Sequence, residues 1–190
     1  MNLNDLGLKY GTDKSTLLHN YLNKYEPYFA NPTDVKKILE IGLRRGGKWK
    51  NEHITPSLEM WGEFFPNAKL YGFDIKYLKT QNQRISLSQG DQSNMDDMVK
   101  LSNSIGAGLD FIIDDGSHLP SHQLVTFLLL FPNLKENGVY IIEDCNAVAQ
   151  SKYIREEQIH AIIKPYLGHI EHYWISSDTA GEKSSLILIK

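Results

Sequence analysis

Short apolar runs alternate with longer amphipathic stretches along this chain, and the alternation predicts its architecture. The runs are Ile38-Leu39-Glu40-Ile41, Leu70-Tyr71-Gly72-Phe73, Arg84-Ile85-Ser86-Leu87, Asp110-Phe111-Ile112-Ile113 and Val139-Tyr140-Ile141-Ile142. Several are nearly uninterrupted, as strands covered on both faces are. Helical spacing fills residues 58–65, 95–105, 124–131 and 153–166. Strands alternating with helices need right-handed crossovers and so a parallel sheet. Ahead of them, Leu17, Leu18, Tyr21, Leu22 and Tyr25 predict an opening helix over 12–28, capped by Thr12 or Asp13. Two further runs, 171–175 and 185–189, are too close in sequence for a crossover helix and predict an antiparallel hairpin. The expectation is an α/β, doubly wound, mostly parallel seven-stranded sheet, Rossmann-like, with an antiparallel C-terminal hairpin strand.

Composition narrows the functional classes. The chain has 190 residues, 41% hydrophobic and 23% charged, which suits a globular domain with its own core. A net charge of −3 argues against a nucleic-acid partner. No apolar run approaches the roughly 20 residues a bilayer requires, and the N-terminus lacks the pattern of a signal peptide, so a cytoplasmic protein without membrane contact is expected. The lone Cys145 excludes an internal disulfide and a multi-cysteine zinc site. A homo-oligomer is compatible with the sequence, which does not specify one.

Ligands of doubly wound sheets bind beyond the carboxyl ends of the strands, so the residues there carry the chemistry. Glu40-Ile41-Gly42-Leu43-Arg44-Arg45-Gly46-Gly47 follows the first run, with glycines that admit a ligand close to the backbone. An ordinary turn fits it equally well, and its spacing is not the G-x-G-x-x-G of dinucleotide sites. Asp74 ends the second strand, where a carboxylate can accept from both hydroxyls of a ribose. Asp91 follows the third, and either pairs with an adenine amine or caps a solvent-facing turn. The fourth and fifth runs end in Asp114-Asp115-Gly116-Ser117-His118 and Glu143-Asp144-Cys145. Up to four carboxylates on one rim repel one another unless a cation neutralises them. An all-oxygen set favours Mg²⁺, Mn²⁺ or Ca²⁺ over zinc. Histidine can take a proton near neutral pH, so His118 is a candidate base. The alternative has Asp114 capping the next helix, Asp115 facing solvent and His118 bonded to a carbonyl.

These segments resemble the metal-dependent sugar O-methyltransferases that modify macrolide antibiotics of the mycinamicin and tylosin type. The resemblance runs over about residues 8–145. Its segments are Lys9-Tyr10-Gly11-Thr12-Asp13-Lys14, Leu39-Glu40-Ile41-Gly42, Ser57-Leu58-Glu59-Met60-Trp61, Phe64-Phe65-Pro66 and Tyr71-Gly72-Phe73-Asp74-Ile75. They continue through Gly90-Asp91-Gln92, Ile113-Asp114-Asp115-Gly116-Ser117-His118, Leu130-Phe131-Pro132 and Gly138-Val139-Tyr140-Ile141-Ile142-Glu143-Asp144. The class I methyltransferase fold it implies carries the reversed last strand that nicotinamide-binding domains ordinarily lack. It implies S-adenosyl-L-methionine and a divalent cation, Mg²⁺ foremost, as cofactors. Asp115, Glu143 and Asp144 would hold the metal, and His118 would be the general base. Asp74 would hold the ribose, Asp91 and Gln92 would lie near the adenine, and Glu40 and Gly42 would line the methionine end. Tyr10, Thr12 and Lys14 would close over the cofactor, with Ser57 and Asp114 also on its side. Residues 1–35 would form a helical cap over that site and 36–190 the methyltransferase domain.

The implied reaction is metal-assisted O-methylation of a sugar hydroxyl on a glycan, sugar nucleotide or glycosylated natural product. Arg44 and Arg45 depart from the small residues expected in the glycine loop; they contact an anionic group or are simply solvated. A chain of this length leaves no room for the extra N-terminal domain of the macrolide enzymes, so the acceptor is the least transferable part. Rival readings are a metal-independent or phosphoramidate or other small-molecule methyltransferase and, from another class, a non-catalytic cofactor-binding scaffold.

Overall fold

The computed structural model describes residues 1–29, 31–44, 54–145, 163–164, 169–177 and 181–189, the last two stretches by the course of their backbone. Five parallel strands form the body of the sheet: β1 (Lys37–Ile41), β2 (Lys69–Asp74), β3 (Ile85–Gln89), β4 (Leu109–Asp114) and β5 (Leu134–Ile142), in the order β3-β2-β1-β4-β5. Each apolar run became a strand. β3 begins one residue late, at Ile85; the Arg84 carbonyl still accepts from the Leu70 N–H at 2.8 Å, and its guanidinium donates to the carbonyls of Gly62, Phe65, Pro66 and Ala68. Those carbonyls lie at and just beyond the C-terminal end of the preceding helix, where backbone acceptors lack helical partners. Beyond β5, the backbones of β6 (His169–Ser177) and β7 (Gly181–Ile189) pair antiparallel, and β7 pairs antiparallel with β5.

The N-terminal expectation is corrected. No single helix runs over 12–28. Instead α1 (Leu3–Tyr10) comes first, with Asn2 and Asp5 forming a reciprocal cap and Gly11, at φ 67°, ending it. Turns follow, then α2 (Leu22–Tyr25) and a 3₁₀ turn (Glu26–Tyr28). Asn20 at φ 56° interrupts what the spacing suggested would be continuous helix. Tyr21, Leu22 and Tyr25 are buried as their apolar character predicts, whereas Leu17 is half exposed.

Between strands lie α3 (Pro56–Phe64), α4 (Met95–Ile105) and α5 (Pro120–Leu130). Proline opens α3 and α5, its missing N–H costing nothing at that position, and Asn94 caps α4. The helix expected over 153–166 lies outside the described residues except at 163–164. Strand alternation splits the core into two layers. Ile38, Leu70, Phe111, Ile113 and Ile141 pack with Leu3, Tyr21, Leu58, Trp61 and Phe65. Leu39, Ile41, Ile112, Tyr140 and Ile142 pack with Met98, Leu101, Phe127 and Leu130 of α4 and α5. Trp61 is fully buried and belongs to this core.

Candidate active site

Strand order reverses between β1 and β4, and the crevice at such a switch point is where a doubly wound sheet binds its ligand. The ladder continues one residue past the strands: Gly42 N–H donates to the Phe73 carbonyl, Asp115 N–H to Ile41 and Glu143 N–H to Asp114, all at 2.9 Å. This brings the strand-end residues to one rim. Gly42 has φ 78°, and a Cβ there would stand 1.9 Å from the carbonyl oxygen of Asp115. Only glycine lets these two loops meet.

A cleft of about 280 Å³ opens between the loops after β1, β2, β3 and β4. Four of the residues expected to hold the cofactor line it: Gly42, Asp74, Asp91 and Gln92. The carboxylate of Asp74 accepts from the Leu43 N–H (2.9 Å) and the Lys76 N–H (2.8 Å), which fixes its orientation. Asp91 accepts from Ser93 N–H at 2.8 Å, and these bonds hold its carboxyl below the usual range. Gln92 is also a brace. Its amide donates to both oxygens of Asp114 and to Thr126 Oγ1, and its carbonyl accepts from Ser117 N–H. Asp114 is wholly buried in this network, and burial pushes its carboxyl up to about 7 against the hydrogen bond from Gln92. Arg44 lines the cleft too. Arg45, Gly46, Gly47 and Trp49 lie outside the described residues.

Six expected cofactor residues lie outside this lining: Asp114 beneath it, Lys14 in the acidic rim described below, and Tyr10, Thr12, Ser57 and Glu40. Tyr10 donates to Glu63 Oε2 at 2.7 Å and lines a separate groove with Glu59, Lys79 and Arg84. Burial and the Glu63 carboxylate raise its phenol to about 12. Thr12 is buried, its hydroxyl near Lys14 N–H. Ser57 is buried against Glu40. Burial pushes the Glu40 carboxyl up to about 7, while Lys14 and Ser57 oppose the rise.

Lys14 lies at the centre of the acidic rim. Its ammonium donates to Asp115 Oδ2, donates to Glu143 Oε2 at 2.9 Å and stands 3.4 Å from Glu40 Oε1. It is 1% exposed. Burial alone would pull its pKa down, but the three carboxylates hold it well above the ordinary lysine range. Glu143 is driven well above the usual carboxylate range by burial, with Lys14 opposing. Asp115 is raised from the same cause.

Asp144 faces a different set. One oxygen accepts from Tyr21 Oη at 2.5 Å, and the other is 3.8 Å from His118 Nε2. His118 and Asp144 both hold left-handed backbone, at φ 59° and 52°. Strain of that kind gathers at functional sites. The expected metal ligands are therefore split between a pair gripping Lys14 and a third facing His118. Among the described residues no three His, Cys, Asp or Glu side chains converge as a ready metal site. The donor chemistry still fits a hard divalent cation, because Glu143 Oε1 is buried without a hydrogen-bond partner among an all-oxygen set of Glu40, Asp115 and Glu143. Tyr21 was visible in the sequence only as an apolar repeat position, and nothing there signalled that its hydroxyl would meet Asp144.

The strand order, the switch-point cleft and the acidic residues around it define the class I methyltransferase fold, Rossmann-like and α/β. Over 144 residues the chain is 35% identical to mycinamicin VI 2''-O-methyltransferase of Micromonospora griseorubida, covering 75% of this chain and 35% of that protein. It is 36% identical over 141 residues to 8-demethyl-8-alpha-L-rhamnosyl tetracenomycin-C 2'-O-methyltransferase of Streptomyces olivaceus, covering 73% and 36%. Among solved structures, the mycinamycin-pathway methyltransferase MycE in complex with Mg, SAH and mycinamycin VI superposes with a TM-score of 0.67 at 34% identity, covering 76% of this chain and 37% of that one. Over the matched residues the chain is a homologue of these O-methyltransferases. It spans about a third of the length of the curated relatives it matches. No protein-family model matches the sequence.

Proposed function

We propose that this chain is an S-adenosylmethionine-dependent, divalent-metal-assisted O-methyltransferase acting on a sugar hydroxyl of a glycosylated small molecule, glycan or sugar nucleotide. The observation that carries it is the position of the His118 imidazole, 3.8 Å from Asp144, on the rim that also presents Asp115 and Glu143. The relatives' names and the Mg and SAH of MycE support the same reading.

Two groups complete the chemistry when bound: S-adenosylmethionine supplies an electrophilic methyl, and a divalent ion held by Asp115, Glu143 and Asp144 supplies positive charge that lowers the pKa of a hydroxyl. The chain's own residues do the rest. Asp74 accepts from the ribose hydroxyls, Gly42 lets the cofactor approach the β1 loop, and Asp91 faces the adenine end. Nε2 of His118 accepts the acceptor hydroxyl's proton, and Asp144 stabilises the resulting imidazolium. Positioning supplies much of the remaining rate.

In this reading residues 1–35 are a cap that reaches the rim through Lys14 and Tyr21, and 36–190 are the methyltransferase domain. The sheet is the seven-stranded form whose reversed β7 lies between β5 and β6, supported by the register Val139↔Ile189 and Ile142↔Leu186. A cytoplasmic location without nucleic-acid or membrane partners accords with the net charge of −3 and with the lack, among the described residues, of a helix long and apolar enough to cross a membrane.

The test is transfer of labelled methyl from S-adenosylmethionine to glycosylated natural products, glycans and sugar nucleotides, with added Mg²⁺ or with chelator. Metal-dependent labelling of a sugar oxygen is expected. Undiminished transfer in chelator would favour the metal-independent reading, in which Lys14 alone balances the rim. No S-adenosylmethionine binding in calorimetry would end the methyltransferase reading.

A further inference from the structure

The Lys14 ammonium stands where the acidic rim would receive a cation. Of the three carboxylates around it, Asp115 and Glu143 are two of the three assigned above to a divalent ion. Lys14 occupies Asp115 Oδ2 and Glu143 Oε2, and a divalent ion beside its ammonium would meet like-charge repulsion that is strong in a site this buried. We propose that Lys14 is a built-in counter-ion that a divalent metal must displace, so that metal binding and release of the 12–21 segment are one linked event. The inference rests on the metal-assisted reading and adds how that site is gated.

Three observations carry it. The first is that the cluster has more acceptors than Lys14 can fill. Glu143 is 1% exposed, yet its Oε1 lacks a hydrogen-bond partner, and Glu40, 0% exposed, meets the Lys14 ammonium only at 3.4 Å. A lysine brings three donors to six carboxylate oxygens, so the rim retains acceptors that a cation could use. The second is the construction of the segment that brings Lys14. It consists of turns rather than helix, held by bonds such as Thr12 N–H to Gly7 (3.1 Å), Asn20 N–H to Ser15 (2.9 Å) and Leu22 N–H to Lys14 (3.1 Å). Turns held by a few local bonds open at lower cost than sheet or long helix. The third is that the segment's far end carries Tyr21, bonded to Asp144, the remaining carboxylate of the metal set. A movement of the turns around Lys14 frees Asp115 and Glu143, and where it extends to the packed ring of Tyr21 it also loosens Asp144. Because coupling is reciprocal, whatever favours the released segment tightens metal binding by the same factor.

The test measures Mn²⁺ binding to the full chain without S-adenosylmethionine, by electron paramagnetic resonance and calorimetry, for wild type, Lys14→Met and Lys14→Arg. Lys14→Met, nearly matched in size and uncharged, should bind Mn²⁺ about tenfold tighter or more, while Lys14→Arg should bind no tighter than wild type. In the wild-type protein, saturating Mn²⁺ should accelerate amide hydrogen exchange over 12–21 and leave β1 and β4 unchanged. Equal or weaker binding by a folded Lys14→Met, or unaltered exchange over 12–21 on Mn²⁺ binding, overturns the displacement. The exchange measurement needs no variant and decides the matter even if Lys14→Met does not fold. Mn²⁺ binding to neither protein overturns the metal reading together with this inference, whereas equal binding to both overturns this inference alone.

Discussion

The hydroxyl of Tyr21 donates to Oδ1 of Asp144 at 2.5 Å, tying the N-terminal segment to the tip of β5. Tyr21 also stacks between His19 and Tyr25, with ring centroids 5.5 and 5.7 Å away, so the donor is held by packing as well as by its bond. Asp144 turns its other oxygen to His118. The three residues form a chain of contacts in which the tyrosine sets the carboxylate and the carboxylate faces the imidazole.

Tyr21→Phe keeps the ring and removes the donor. Hydrogen bonds to charged groups are worth about 1.5–3 kcal/mol, and urea unfolding should show a loss of that order. Turnover should fall while the dissociation constant for S-adenosylmethionine stays near wild type, since Tyr21 does not line the cofactor cleft. Unchanged stability and unchanged turnover together would remove Tyr21 from the site.

His118→Ala should lower turnover by roughly 10²- to 10⁴-fold, the usual contribution of a general base. Cofactor affinity, read by calorimetry, should barely move. A variant that turns over like wild type would falsify the role given to His118.

Gly42→Ala places a methyl group 1.9 Å from the Asp115 carbonyl oxygen on a backbone at φ 78°. The left-handed conformation alone costs roughly 1–2 kcal/mol for a non-glycine residue, and the clash forces the β1 and β4 loops apart as well. Thermal unfolding should move down and S-adenosylmethionine binding should weaken in the same variant. Retained binding with a normal melting temperature would mean that the loops do not meet as described.

Asp114 and Glu40 each have a carboxyl pushed up to about 7 by burial. The folded state therefore holds protons that the unfolded state releases near pH 4, and stability falls as pH rises from about 4 to 7. Asp114→Asn removes one of these groups, so the slope of unfolding free energy against pH in that window should become shallower. An unchanged slope would show that Asp114 is already ionised in the folded protein at low pH.

Much of this was legible in the chain. Strands such as Ile38–Ile41 and Ile112–Ile113 declare themselves because a parallel sheet covered on both faces tolerates few polar positions. The acidic residues that follow them were legible as site candidates because the topology dictates which strand ends gather. The N-terminal segment was not. Its apolar spacing matched a helix, yet Gly11 and Asn20 both adopt left-handed backbone and the residues between them fold as turns. Periodicity reports that Tyr21, Leu22 and Tyr25 will be buried, without saying by which backbone path.

The sequence by itself determined the alternation of strand and helix, the two apolar layers and the identity of the carboxylates at the strand ends, because those follow from local pattern and from rules of chain connection. Tertiary structure alone decided that Lys14 would be buried among Glu40, Asp115 and Glu143, and that Asp144 would face Tyr21 and His118 instead of joining them. A charge buried in a protein finds its partners across distant segments, and no local pattern records which carboxylate an ammonium will meet.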